Sequence, residues 1–291
     1  MRIQKSFSSQ EQNTVYVVPT PIGNLEDMTF RALRTLEEVS IIAAEDTRNT
    51  KKLLNHFDIT THLISYHEHN KETRGEQLLH RLDNGESIAI VSDAGMPGIS
   101  DPGFELVQAA IQADHPVVVL PGANAALCAL VGSGLPADEF LFYGFLPRKK
   151  KDKEAELERL KLINGTLLLY ESPYRIKDTL KMLHTHLGDR QISVARELTK
   201  KFEEYIRGTV RELINWVDKT ELKGEFCLVI EGISREEVHE NDLWWSSLSV
   251  VEHVSYYINE ADLSSKDAIK RTASDRSMPK REVYQAYHVE R

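Results

Sequence analysis

Basic charge, cysteine and long apolar runs are all scarce in this chain. Lys and Arg number 36 against 45 Asp and Glu, a formal net charge of −9. A molecule of that sign is no generic polyanion binder, so any nucleic-acid contact needs a local basic patch. The only two cysteines, Cys128 and Cys227, lie far apart, each in an apolar stretch. No CxxC or CxxxH spacing is present, which argues against a structural zinc. Two buried free thiols would suit a reducing cytoplasm. No apolar run approaches the roughly 18 residues of a membrane span. Residues 1–13 are polar and lack the apolar segment of a secretion signal. A soluble, cytoplasmic protein is expected. Three signatures are missing as well. There is no G-x-x-x-x-G-K-[ST] phosphate loop, no G-x-G-x-x-G after the first strand, and no G-x-S-x-G elbow.

What is present is a chain of 291 residues, 41% hydrophobic and 28% charged, enough for about two domains with proper cores. Its most telling stretch is Ser92-Asp93-Ala94-Gly95-Met96-Pro97-Gly98-Ile99-Ser100-Asp101-Pro102-Gly103. Three glycines allow φ > 0 and close approach of a ligand to the backbone, and two prolines stiffen the path. The stretch follows the apolar run 88–91 and precedes a helical pattern at 104–113. In α/β sheets, ligands bind at such loops after the strands' carboxyl ends.

Apolar runs at 15–18, 41–44, 63–66, 88–91 and 117–120 alternate with helical periodicity at 28–39, 49–57, 73–82 and 104–113. That rhythm predicts a doubly wound, mostly parallel sheet over 14–134. Strands ending at Val18, Val91 and Leu120 run into Pro/Gly-rich loops; adjacent in one sheet, those loops would line one crevice. A second α/β domain is expected over 135–234, with strands at 140–145, 166–170, 191–195, 202–208 and 225–231. Its helices are expected at 154–162, 176–187 and 210–217, after a charged, exposed segment at 148–153. An acidic, polar linker at 233–242 leads to a helical domain at 243–291, which opens with Trp244, Trp245, Leu248 and Val251 at helical spacing. From Ser264 onward seven Lys/Arg face four acids, a locally positive tail.

Two constellations carry alternatives. His67-Glu68-His69-Asn70 places two imidazoles at i, i+2, which share a face only on a strand; a polar loop is the default and no metal is expected. Glu45-Asp46-Thr47-Arg48 puts two acids and an arginine at a strand's end. It reads either as a pKa-tuned pair or as a helix N-terminus capped by Asp46 or Thr47.

Eight motifs in order carry a resemblance. They are Val18-Pro19-Thr20-Pro21-Ile22-Gly23-Asn24-Leu25, Ala44-Glu45-Asp46-Thr47-Arg48, the 92–103 stretch, Pro121-Gly122-Ala123-Asn124-Ala125-Ala126, Gly144-Phe145-Leu146-Pro147-Arg148-Lys149, Tyr170-Glu171-Ser172-Pro173, Ala195-Arg196-Glu197-Leu198-Thr199-Lys200 and Lys223-Gly224-Glu225-Phe226. Over about residues 14–290 the chain resembles the bacterial 16S rRNA cytidine 2′-O-ribose methyltransferases, with Met96 where Thr is the usual residue. The fold implied is the two-domain, tetrapyrrole methylase-like (class III) α/β fold with a small C-terminal helical domain.

The resemblance implies an S-adenosylmethionine cleft built from Pro21, Asp93, Ala94, Gly95, Ile99, Ser100, Ala125 and Ala126. Leu169, Tyr170, Leu198 and Phe226 would be its apolar walls. The implied acceptor is a ribose hydroxyl, which a general base would activate. Glu45, Asp46 and Glu197 are the candidates, with Arg48 and Arg196 orienting them or meeting phosphate. Arg148, Lys149, Lys266, Lys270, Lys280 and Arg281 are expected to contact RNA. The implied partner is 16S rRNA in the small ribosomal subunit, and the implied assembly a homodimer. A metabolite methylase on the same fold and a non-catalytic RNA-binding protein remain as alternatives.

Overall fold

The computed structural model describes residues 3–4, 13–233, 245, 247–261, 263–276 and 278–289. Most of the polar N-terminal tail, the expected linker beyond Ile233, and Trp244 lie outside the described residues. The chain divides into two compact units, Met1–Gly232 and Ile233–Arg291.

The first unit holds two five-stranded sheets. Strands β1 (Val15–Val17), β2 (Ile41–Ala44), β3 (Leu63–Ser65), β4 (Ile88–Val91) and β5 (Val117–Val119) form the first, in the order β3-β2-β4-β1-β5. Every pair is parallel. Between them run helices α1 (Phe30–Glu38), α2 (Thr47–His56), α3 (Lys71–Asp83) and α4 (Phe104–Gln112). Side chains alternate across a strand, and the core shows it. Ile42, Ala44, Ala89 and Val91 pack with Leu36 and Leu54 of α1 and α2. Their neighbours Ile41, Ala43, Ile88 and Ile90 pack with Leu78, Leu82 and Leu106 of α3 and α4. Burial on both faces is why these strands read as continuous apolar runs.

The second sheet joins β6 (Phe140–Phe145), β7 (Thr166–Glu171), β8 (Gln191–Arg196), β9 (Glu204–Thr209) and β10 (Phe226–Ile230) in the order β6-β7-β10-β8-β9. Only β6 and β7 are parallel; β10 runs antiparallel to β7 and β8, and β8 to β9. Helices α6 (Lys150–Leu160), α7 (Ile176–Leu187) and α8 (Val210–Val217) cover one face. The other face is covered by α5 (Ala125–Ser133), whose Ala126, Ala129 and Leu130 pack on Leu168, Ala195, Cys227 and Val229. The periodicity does not predict α5, because its sequence, AALCALVGS, is apolar on every side. Its stop and start signals were present: Asn124 accepts from the backbone of Leu127, and Gly134 closes the helix in the left-handed region. This helix ties the end of the first α/β half to the sheet of the second.

Two sequence expectations are corrected. Cys128 is exposed, because it lies on the outer side of α5; only Cys227 is buried. Lys153 does not share the exposure of its basic neighbours. Its side chain is 4% exposed and its Nζ reaches Asp178 Oδ2 at 3.0 Å, for it stands one helical turn before the buried Leu157.

The second unit is helical: α9 (Val250–Asn259), α10 (Ser265–Asp275) and α11 (Lys280–Val289). Val254, Ala268, Ile269, Ala273, Val283 and Tyr287 form its core. Ser264 caps α10, accepting from the Asp267 N–H, and Ser249 makes a reciprocal capping box with Glu252 on α9.

Candidate active site

Strand order places β4, β1 and β5 side by side, so the loops after Val18, Val91 and Leu120 do lie in a row. The first two are stitched together. The Thr20 and Gly95 backbones exchange two hydrogen bonds of 2.9 Å, and the Thr20 hydroxyl donates to the Ser92 carbonyl at 3.0 Å. Gly95 sits at φ +82°, and a Cβ there would touch Ile22 at 3.4 Å. A side chain at 95 would therefore be both strained and directed against the loop it pairs with. Ser100, at φ 64°, holds the same loop in a conformation uncommon outside glycine.

These loops form one wall of a cleft of about 390 Å³ within the first unit, on the scale of a small-molecule site. Glu45 from the end of β2, Asp93 to Met96 and Ile99 to Asp101 from the loop after β4, and Ile22 make this wall. Asn124 and Ala125 at the start of α5 add to it. The second sheet supplies Phe145, Tyr170, Ala195, Leu198, Phe226 and Cys227 opposite. The Tyr170 ring meets Phe142 and Phe145 edge-on, at centroid distances of 5.1 and 5.7 Å. Burial pushes its phenol far up, so the ring is an uncharged wall.

Of the residues expected around a cofactor, Asp93, Ala94, Gly95, Ile99, Ser100, Ala125, Tyr170, Leu198 and Phe226 line this cleft. Pro21 lines an adjoining cavity instead. Ala126 is buried one residue further into α5, against the second sheet. Leu169 points the other way: Leu168 and Tyr170 face α5, so strand alternation sends Leu169 into the core under α6, α7 and α8.

The acids separate by environment. Asp46 caps α2 through the Arg48 N–H and holds the Arg48 guanidinium at 2.6 and 3.1 Å. That pairing takes its carboxyl down to about 2, too acidic to accept a proton well near neutrality. Glu197, at φ 51°, is bound by Lys200 at 3.0 Å and by the Glu225 N–H at 3.1 Å. Burial opposes its ionisation, yet those donors hold the carboxyl below its ordinary value. It lies beside the cleft wall and is not among the lining residues. Arg196 is engaged with Glu204 and with the carbonyl of Lys223.

Glu45 does line the cleft. Burial raises its carboxyl, against a 3.3 Å bond from the Asp93 N–H. The residue that sequence reasoning passed over is Asp101. It lines the same wall of the cleft as Glu45 and Asp93 and has no hydrogen bond or ion pair among the described residues. Burial, then repulsion from Glu45 and Asp93, raises its carboxyl to about 7. Its signal was its place in the quoted loop, eight residues after Asp93. Glu171, nearly inaccessible at the end of β7, anchors the turn into α7, taking a 2.6 Å bond from the Thr179 hydroxyl and one of 2.8 Å from the Ser172 N–H.

Residues 14–214 match the tetrapyrrole (corrin/porphyrin) methylases. The chain belongs to this methylase family. A Ribosomal RNA small subunit methyltransferase I of Halalkalibacterium halodurans is 55% identical over 291 residues, all of both chains. One from Bacillus subtilis is 54% identical, covering 99% of each. Among solved structures, the uroporphyrin-III C-methyl transferase of Thermus thermophilus complexed with S-adenyl homocysteine superposes with a TM-score of 0.53. At 20% identity, over 75% of this chain and 97% of that one, it shows the shared fold. The methylase described here is thus an enzyme of the two-sheet α/β class with a helical unit after it. Among its described residues no helix is long and apolar enough to cross a membrane.

Proposed function

We propose that this methylase transfers the methyl group of S-adenosylmethionine to the ribose 2′-oxygen of a cytidine in 16S rRNA. The observation that carries the reading is the cleft itself. Glu45, Asp93 and Asp101 stand on the wall from the first sheet, and aromatic and apolar side chains, with Glu171 and Glu225, on the side of the second, with small residues and backbone between. That donor set fits a molecule with a cationic centre and a flat aromatic end. Tyr170, Leu198 and Phe226 would cover the aromatic end, Ala94, Gly95 and Ala125 let the main chain approach, and Glu45, Asp93 and Asp101 face the cation. S-adenosylmethionine, when bound, supplies a methyl group already activated on a sulfonium. Positioning the acceptor oxygen in line with it is then the main task of the protein.

The 2′-oxygen forms a bond to the methyl carbon, the carbon–sulfur bond breaks with its electron pair going to sulfur, and the hydroxyl proton must leave. Asp101 is the carboxylate best placed to accept that proton, with Glu45 beside it, since a base works best near the operating pH. Asp46 and Glu197 are assigned to holding α2 and the loop after β8. Relatives named for the small-subunit rRNA support the acceptor. So do the exposed cations: Arg148 and Lys149 before α6, and Lys266, Lys270, Lys280 and Arg281 on α10 and α11. A homodimer in the cytoplasm completes the reading. It is supported by Leu127 and Val131, one turn apart and exposed on the outer side of α5.

The test is methyl transfer from labelled S-adenosylmethionine to small ribosomal subunits lacking the modification, mapped by nuclease digestion and mass spectrometry. A 2′-O-methylcytidine at one position is expected. Transfer to a tetrapyrrole and none to subunits would overturn the acceptor assignment and keep the fold.

A further inference from the structure

Where β6 and β7 finish, the rim of the cleft carries side chains that the proposed donor contacts do not use. The two strands run parallel with Phe145 opposite Tyr170, so the loops after them leave the same edge of the second sheet. Arg175 fastens these loops together, donating to the Leu146 carbonyl at 2.7 Å and the Pro147 carbonyl at 3.3 Å. Ser172 to Arg175 close as a turn, the Ser172 carbonyl accepting from the Arg175 N–H at 3.1 Å. Ser172 and Pro173 of that turn line the cleft. Tyr174, the next residue, is 95% exposed and has no hydrogen bond, ion pair or ring contact among the described residues. In the loop fastened to it, Arg148 and Lys149 are exposed and have no ion pair or side-chain hydrogen bond among the described residues. The acid at the end of β7, Glu171, is buried and held by Thr179 and Arg175, so it does not offset them. This end of the cleft also lies against the carboxylate proposed as the base. A Cβ on Gly144 of β6 would stand 2.9 Å from the Ser100 hydroxyl oxygen. Asp101 follows Ser100, and its charge is felt by the Tyr170 phenol across the cleft.

We propose that this rim is where the acceptor strand enters: the base of an unpaired nucleotide stacks on Tyr174, Arg148 and Lys149 hold the adjoining phosphates, and the ribose reaches into the cleft toward Asp101. The proposal rests on the methylation proposed above and adds where the RNA engages. A lone exposed aromatic residue needs no explanation. An exposed ring beside two unpaired cations, on the turn that lines a cleft, is the combination by which single-stranded nucleic acid is held. Stacking needs a free base face, so the acceptor has left its own stack at this point. Ring and cations accept any sequence, so the rim positions the strand and does not read it. A ribose held here meets the base and the donor in one cleft, with no wall to cross.

The experiment uses the full-length enzyme and small ribosomal subunits lacking the modification. Tyr174→Ala, Tyr174→Phe and the pair Arg148→Gln/Lys149→Gln are compared with wild type. Phe30→Ala, at a 94% exposed ring on α1, controls for loss of an exposed aromatic. Acceptor KM and kcat are measured across a salt series, and S-adenosylmethionine affinity by calorimetry. Tyr174→Ala should raise acceptor KM about tenfold with an unchanged log–log salt slope, because stacking releases no counterions. Tyr174→Phe and Phe30→Ala should match wild type. The cation pair should raise acceptor KM and make the salt slope shallower by about 1–2. Donor affinity should be unchanged throughout. An unchanged acceptor KM in Tyr174→Ala would overturn the proposal, as would equal damage in Tyr174→Phe, which keeps the ring. A fall in donor affinity in Tyr174→Ala would overturn it too, by placing the ring in the donor site. If wild type itself leaves subunits unmethylated, the proposed function fails first. The rim is then read from binding of a fluorescent single-stranded oligoribonucleotide, and equal affinity of wild type and Tyr174→Ala overturns it separately.

Discussion

Asp101 is the side chain on which the chemistry of the cleft can be read most directly. Its carboxyl is raised to about 7 by burial and by the neighbouring carboxylates of Glu45 and Asp93, so it is charged above that pH and neutral below it. Turnover should therefore rise with pH through about 7. Asp101→Asn should lower kcat and remove that limb while leaving donor binding measurable by calorimetry. Stability follows the opposite course. The folded state holds this proton from the ordinary carboxyl range up to about pH 7, while the unfolded chain has released it, so stability falls as pH rises through that window. Asp101→Asn should accordingly raise the melting temperature more at pH 8 than at pH 5. Loss of turnover with no change in the pH profile would place the proton on Glu45 instead. Asp46, only one residue from Glu45 in the chain, differs because Arg48 and the start of α2 consume its oxygens.

At the scale of elements, α5 and the caps do the positioning. Helix α5 brings Asn124 and Ala125 to the cleft by packing Ala126, Ala129 and Leu130 on the second sheet. Leu130→Ala should cost about 2–5 kcal/mol in denaturant unfolding, since a buried leucine leaves a cavity behind. Donor affinity should weaken as well, because the start of the helix is part of the wall. Helix α8 begins with a full capping box, Thr209 with Glu212. Thr209→Ala should cost about 1 kcal/mol with no effect on donor binding. The contrast between these two variants separates an element that shapes the site from one that only supports its sheet.

At the scale of the whole molecule, the net charge of −9 and the local cations divide the labour. The acidic catalytic unit suits a cationic donor, and the proposed RNA contacts fall where lysine and arginine gather. Removing residues 264–291 should weaken binding to small subunits, measured by filter retention or sedimentation, while calorimetry finds S-adenosylmethionine affinity unchanged. Equal subunit methylation by the shortened chain would show that the helical unit is not an RNA contact. If the proposed homodimer forms through α5, Val131→Glu should convert the sedimenting species to a monomer, because it places a carboxylate on the exposed apolar side of that helix.

The first sheet was legible because its strands are buried on both sides: an apolar run such as Ile88-Ala89-Ile90-Val91 admits few other readings. The Pro/Gly loops after those strands were legible for a similar local reason, since residues that restrict or free the backbone mark a fixed turn wherever they stand. Family membership was legible because eight such motifs keep their order. Periodicity failed at α5, which is apolar on every side and so has no period to detect, and at Leu169, whose direction depends on strand register. Lys153 and Cys128 reversed their expected exposure, because burial is decided by what another segment brings to the surface. Composition and local pattern thus determined the elements, their turns and the class of the protein. Only the tertiary structure decided which acids share a cleft, for the charge on Asp101 is set by Glu45 and Asp93. The sheet sets the end of β2, with Glu45, beside the loop after β4, with Asp93 and Asp101, and no stretch of sequence contains that distance.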